Sequence, residues 1–132
     1  MGDILFRGKR KDNGEWVEGF FVKVGGYCYI LTGKLNITNG HIDFVKYKVY
    51  PETVGQYTGL LDKNGERIFE GDVLTVDGED GFFVLEFQEN TARFVMSGDS
   101  MVVDFDNFWS YEVEVIGNIH DNKEPLKEGG EE

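Results

Sequence analysis

From Ile4 onward, short apolar runs alternate with turn residues at the spacing of β-strands. ILFRG is followed by the turn Asp12-Asn13-Gly14 and then EWVEGFFVKV, a hairpin signal. In that second run Trp16, Glu18 and Phe20 share one face. Val17, Gly19 and Phe21 share the other, where Gly19 fits a bulge or a close neighbour. Gly25-Gly26 breaks the strand before YCYILT. Asn39-Gly40 then separates a loop from IDFVKYKVY, where Phe44 with Lys46, and Val45 with Tyr47, decide which face is wet. The pattern predicts four strands by Tyr50.

Pro51 opens a second section. Asp62-Lys63-Asn64-Gly65 lies between Leu60-Leu61 and Ile68-Phe69 and reads as a tight turn, with Asp accepting local backbone hydrogen bonds and Asn-Gly tolerating positive φ. VLTV and FFVLEF flank the acidic turn DGEDG, and ARFVMSG and SMVVDF meet around Gly98-Asp99. A helical turn over Asp106 to Tyr111 leads into the closing strand EVEVIGNI. After His120 the apolar periodicity stops, so residues 121–132, DNKEPLKEGGEE, are expected to form a flexible acidic tail.

Composition sharpens this picture. Eighteen glycines against two prolines, with a single alanine and many β-branched and aromatic residues, disfavour helices and give an all-β expectation. The 132 residues suffice for one ordinary domain or two small modules, which excludes a multidomain enzyme. No run approaches the ~18 apolar residues of a membrane span, and MGDILFRGKRKDNGEW lacks the apolar core of a secretion signal, so no membrane association and a cytoplasmic location are expected. Cys28 alone forms no internal disulfide, and Tyr27 and Tyr29 beside it suit a small buried residue.

The net charge of −12 is unevenly spread. Through residue 50 there are eight Lys and Arg against five Asp and Glu, net +3; from residue 51 there are five against twenty, net −15. The second half therefore repels phosphate backbones, so no DNA is expected there, and a basic protein is the easier partner.

Three segments carry a family resemblance: PETVGQYTGLLDKNGERIFEGD over residues 51–72, EVIGNI near the end, and ILFRGKRKDNGEWVEG at the start. In combination, QYTGL, DKNG, IFEGD and EVIGNI closely resemble the YopX family of phage and prophage proteins. The resemblance implies a bacteriophage or prophage origin and an SH3-like barrel in the carboxy-terminal part, and it implies no catalytic residues. The expected organisation is a β-rich section over residues 1–50, an SH3-like barrel over 51–120 and the tail over 121–132. Five or more short strands in the second section can bury one face by curling until the edges are covered. The hairpin from Gly71 to FFVLEF also looks like the first hairpin of the KOW class of small barrels. However, Glu70, Asp72, Asp77, Glu79, Asp80 and Glu86 oppose direct RNA binding by it.

Candidate chemistry is sparse. Asp62-x-Asn64-x-Glu66 begins like a calcium loop, but Gly65 comes too early and strands flank it. Asp77, Glu79 and Asp80 read as a solvated turn, so no metal and no cofactor are expected. Cys28, Ser97, Ser100 and Ser110 have only His41 and His120 as possible bases, at no recognisable spacing. Asp104 with Asp106 and Glu112 with Glu114 share strand faces as any wet side of a sheet does. No enzyme is expected. The remaining reading is a binding module for a host or phage protein, anchored by Tyr57, Phe69, Phe108, Trp109 and Tyr111. The alternatives are association with RNA or the transcription and translation machinery through the KOW-like hairpin, and a structural homo-oligomer. In the latter, Arg7, Lys9, Arg10 and Lys11 would meet the acidic half of a neighbour.

Overall fold

The structure, a computed structural model, describes residues 4–99 and 101–121, apart from the side chains of residues 34, 35, 108 and 110. The sequence expectation for 122–132, and with it nearly all of the tail, lies outside the described residues. The protein is all-β, built of two antiparallel sheets, and divides into two compact units, Met1–Tyr57 and Thr58–Glu132. Among the described residues no helix is long and apolar enough to cross a membrane.

The first unit holds the four expected strands, β1 (Phe6–Lys9), β2 (Trp16–Val24), β3 (Tyr27–Asn36) and β4 (His41–Val49), and a 3-10 turn at Pro51–Thr53. The start of β5 (Gly55–Leu61) completes it. β1 pairs antiparallel with β2, β2 with β3 and β3 with β4, and β5 pairs with the other edge of β1. The end of β4 then returns to the start of the ladder. Arg10 bridges Val49, the Lys11 N–H donates to the Lys48 carbonyl at 2.9 Å, and the Tyr50 N–H donates to the Lys9 carbonyl at 2.9 Å.

Inside this ladder Cys28, Ile30 and Val49 are buried, with Phe6, Val17, Phe21 and Val54 packed on them. Buried Thr53 pins the crossing: its Oγ1 accepts the Lys9 N–H at 2.9 Å and donates to the Tyr50 carbonyl at 2.6 Å. Gly19 is the close neighbour anticipated from the strand pattern, since a Cβ there would lie 2.2 Å from the Leu31 carbonyl oxygen. β3 runs four residues beyond the expected YCYILT. Gly33 does not end it, because β4 supplies ladder partners as far as Asn36 opposite His41.

The second unit takes the remainder of β5 with β6 (Arg67–Phe69), and a five-stranded sheet. The sheet comprises β7 (Asp72–Val76), β8 (Phe83–Gln88), β9 (Arg93–Ser97), β10 (Val102–Asp104) and β11 (Val113–Asn118). Its order, β10-β9-β8-β7-β11, is a meander whose last strand comes back beside the first, the arrangement of the SH3-like barrel implied by the resemblance. The single helical turn, α1 (Asn107–Ser110), falls where the sequence places it. Ile68, Leu74, Val76, Phe83, Leu85, Met96, Phe105 and Val113 form the core. Burying a Val, Leu, Ile, Phe or Met side chain contributes about 1.5–3 kcal/mol, so this cluster dominates the unit's stability.

Two buried carboxylates in this unit accept backbone N–H groups. Buried Asp62 accepts the N–H groups of Asn64 at 2.8 Å and Glu66 at 2.9 Å, and buried Asp72 accepts the Phe69 N–H at 2.7 Å.

Candidate binding surface

Around Cys28, Ile30 and Val49 the strand period of two separates a packed face from an outward one, whereas His41–Lys46 of β4 are exposed on both faces. Cys28, Ile30 and Val49 define the packed face, so their immediate neighbours point the other way. The ladder register gives the outward rows directly. Phe20 pairs with Leu31 and Leu31 with Lys46; Val22 pairs with Tyr29 and Tyr29 with Lys48; Val24 pairs with Tyr27; and Gly33 pairs with Phe44.

Several of these side chains are left in solvent: Phe20 is 56% exposed, Tyr27 51% and Phe44 57%, with Val24 and Ile42 also exposed. Scattered exposed apolar residues are ordinary, but a contiguous group on adjacent strands marks a contact surface. The two lysines lie over the rings, Lys48 Nζ 4.1 Å from the centroid of Tyr27 and Lys46 Nζ 5.4 Å from that of Tyr29. From Phe20 to Val24, along β3 and along β4, the outward rows hold two lysines and neither Asp nor Glu.

The basic cluster Arg7, Lys9, Arg10 and Lys11 is divided by the fold. Arg7 and Lys9 flank Trp16, their charged ends 4.7 Å and 5.8 Å from its ring, while Lys11 lies 5.7 Å from the Tyr50 ring. Arg10 is engaged within its own chain. Its Nε and Nη2 donate to the two Asp12 carboxylate oxygens at 2.9 Å and 2.8 Å, and its guanidinium carbon sits 4.3 Å from the Tyr47 ring. That hydrogen bond, ahead of simple charge attraction, raises the Arg10 pKa and lowers that of Asp12.

The aromatic anchors expected from the sequence do not form one patch. Tyr57 and Phe69 are buried, Trp109 is half-buried against the second unit's core, and Tyr111 is 79% exposed. The Phe108 side chain lies outside the description. Tyr111 stands at a groove of about 550 Å³ that Leu60, Asp62, Lys63 and Asn107 also line. Here the Lys63 ammonium donates to Asp77 at 2.8 Å, which raises the Lys63 pKa. Asp62, which begins the calcium-like spacing, is already committed to backbone N–H groups. Among the described residues no three of His, Cys, Asp or Glu gather to hold a metal ion. Cys28 is buried, as its setting suggests.

The ring and lysine rows were not among the sequence candidates. Their signal is present in YCYIL and FVKYK as alternation, but it becomes a surface only once the register sets Tyr29 opposite Lys48.

The family model described as YopX protein matches residues 5–127. The crystal structure of protein EF1440 from Enterococcus faecalis is similar in fold, with a TM-score of 0.63 at 22% identity, covering 96% of this chain and 99% of that one. A search of the curated proteins found no match.

Proposed function

The chain belongs to the YopX family, and from that membership we propose that it is a non-enzymatic accessory protein of a bacteriophage or prophage. It works in the bacterial cytoplasm by binding a partner through the outward face of its first sheet. The observation that carries this reading is the exposure of Phe20, Tyr27, Phe44 and Ile42 on neighbouring strands, with Lys46 and Lys48 among them. Rings and lysine stems of this kind supply contact area.

A photo-reactive residue replacing Phe44, compared with one replacing exposed Glu89 in the second unit, tests the surface in bacterial cells. Discrete adducts at position 44 that are missing at position 89 are expected. Identical adduct patterns at both positions overturn the proposal.

A second reading, a host or phage protein docked on the other unit, is favoured by the exposed Tyr111 beside its groove. Residues 58–132 carry five Lys and Arg against nineteen Asp and Glu, net −14, which suits a basic partner. Such a complex weakens steeply with salt. Light scattering at low and high salt tests self-association.

A further inference from the structure

We infer that the outward face of the first sheet seats single-stranded RNA, with bases stacked on Phe20, Tyr27, Tyr29 and Phe44 and phosphates met by Lys46 and Lys48. The inference rests on the reading of that face as the working surface, and specifies its occupant.

Charge is the first argument. The chain has 25 Asp and Glu, and none stands on the outward rows from Phe20 to Val24, along β3 and along β4; the acid that borders them is exposed Glu18, on the same face of β2 as Phe20 and paired with Arg7 across the ladder. Those rows carry two lysines, and an anionic occupant is their complement. The overall charge of −12 does not decide against it, because exposed charges are screened beyond a Debye length of about 8 Å at physiological salt. Residues 1–57 by themselves carry eight Lys and Arg against six Asp and Glu, net +2.

The rings then select among anions. An acidic peptide uses the lysines and leaves four aromatic side chains unexplained, whereas every nucleobase has a π-face to stack on them. Tyr27 and Tyr29 are two residues apart on one strand, about 7 Å along it; the register sets Phe20 one outward row along and one strand across from Tyr29, roughly 8 Å away, and Phe44 two outward rows along and one strand across, roughly 14 Å away. The lysine ammonium groups now lie over the two tyrosine rings. A phosphate draws such a flexible point charge to the ring's edge and opens the ring to a base. A duplex offers no free base faces to a sheet, so the strand is single. The tyrosine hydroxyls both donate and accept, matching the ribose 2′-hydroxyl that distinguishes RNA from DNA.

Fluorescence anisotropy of the full chain with labelled oligouridine of about ten nucleotides, a length within single-strand site sizes, tests this. Saturable binding is expected, with log K falling against log salt at a slope of about −1.4 for two phosphate contacts. Lys46→Gln with Lys48→Gln flattens that slope. Phe44→Leu, which keeps an apolar side chain at an exposed position, weakens binding about fivefold or more. Circular dichroism of each variant confirms the fold. No saturable binding at low salt overturns the inference, as does equal affinity for duplex RNA, for the matching DNA strand, or for a glutamate-rich peptide of equal charge. Position-44 adducts in cells without oligouridine binding in vitro remove RNA as the occupant and leave the binding surface in place.

Discussion

The carboxylate of Asp62 is hydrogen-bonded to the backbone of Val115, 53 residues further along the chain, its Oδ2 accepting the Val115 N–H at 2.9 Å while Oδ1 accepts those of Asn64 and Glu66. One buried side chain thus shapes the DKNG turn and fastens it to the closing strand, which accounts physically for the joint presence of the DKNG and EVIGNI segments. The Lys63 N–H donating to the Val113 carbonyl at 3.0 Å reinforces the same junction.

Replacing Asp62 removes an acceptor from three N–H groups in a buried setting. Hydrogen bonds to a charged group are worth about 1.5–3 kcal/mol each, and the orphaned donors add a cost, so Asp62→Ala lowers unfolding free energy by about 3 kcal/mol or more. Urea titration followed by circular dichroism measures it. A change within about 0.5 kcal/mol, the range of ordinary surface substitutions, contradicts this account.

Trp109 and Tyr111 separate structural from surface roles two residues apart. Trp109 packs against the second unit's core while Tyr111 is exposed. Trp109→Ala therefore costs about 2 kcal/mol, less than the 3–5 of a fully buried tryptophan, whereas Tyr111→Ala stays within about 0.5 kcal/mol. Thermal melts of the two variants check the contrast. If Tyr111→Ala also weakens a protein partner's binding, the docking role assigned to the groove gains its direct support.

Much of this fold is legible in the sequence because its turns are chemically explicit. Asn13-Gly14, Gly25-Gly26 and Asn64-Gly65 each lie in a connection between two consecutive strands of the structure, and Gly14, Gly25, Gly26 and Gly65 all adopt positive φ. Gly33 does not break its strand. It sits in ordinary extended backbone, held there by the Phe44 ladder pair, so its conformational freedom is not used. The aromatic anchors show a different limit. Tyr57 and Phe69 occupy strand positions like those of Phe20 and Phe44, and which ring is covered depends on non-local packing that periodicity does not encode. The outward face is hidden in the sequence for a related reason: Lys46 lies over Tyr29, 17 residues away, and Lys48 over Tyr27, 21 residues away, so register alone joins them.

The Arg10–Asp12 pair makes a pH prediction. The Arg10 hydrogen bond is the largest influence holding the Asp12 carboxyl below its ordinary 3.8. A depressed folded-state pKa means the pair's contribution is fully present above that ordinary value and is lost as pH falls through the lowered one. Carboxyl-carbon NMR titration of Asp12 gives a midpoint below 3.8 in the native protein, moving back toward 3.8 in Arg10→Gln. An unchanged midpoint in the variant shows that the guanidinium is not the cause.

Gly19 provides the sharpest geometric test. An added Cβ would sit 2.2 Å from the Leu31 carbonyl oxygen and 3.0 Å from its carbon, both backbone atoms that cannot rotate aside as a side chain can. β2 changes partner at this point, pairing with β1 as far as Gly19 and with β3 from Phe20, so displacement there disturbs both ladders. Gly19→Ala is therefore expected to cost more than the 1–3 kcal/mol typical of overpacking. Gly8→Ala, whose Cβ would meet the Val49 side chain at 3.0 Å, stays within that range because relieving that approach takes only a few tenths of an ångström. Amide hydrogen exchange localises the effect: protection in Gly19→Ala falls across Phe20–Val24 and Tyr27–Leu31. If the two alanine variants lose equal stability, the backbone approach at Gly19 is not what the glycine serves.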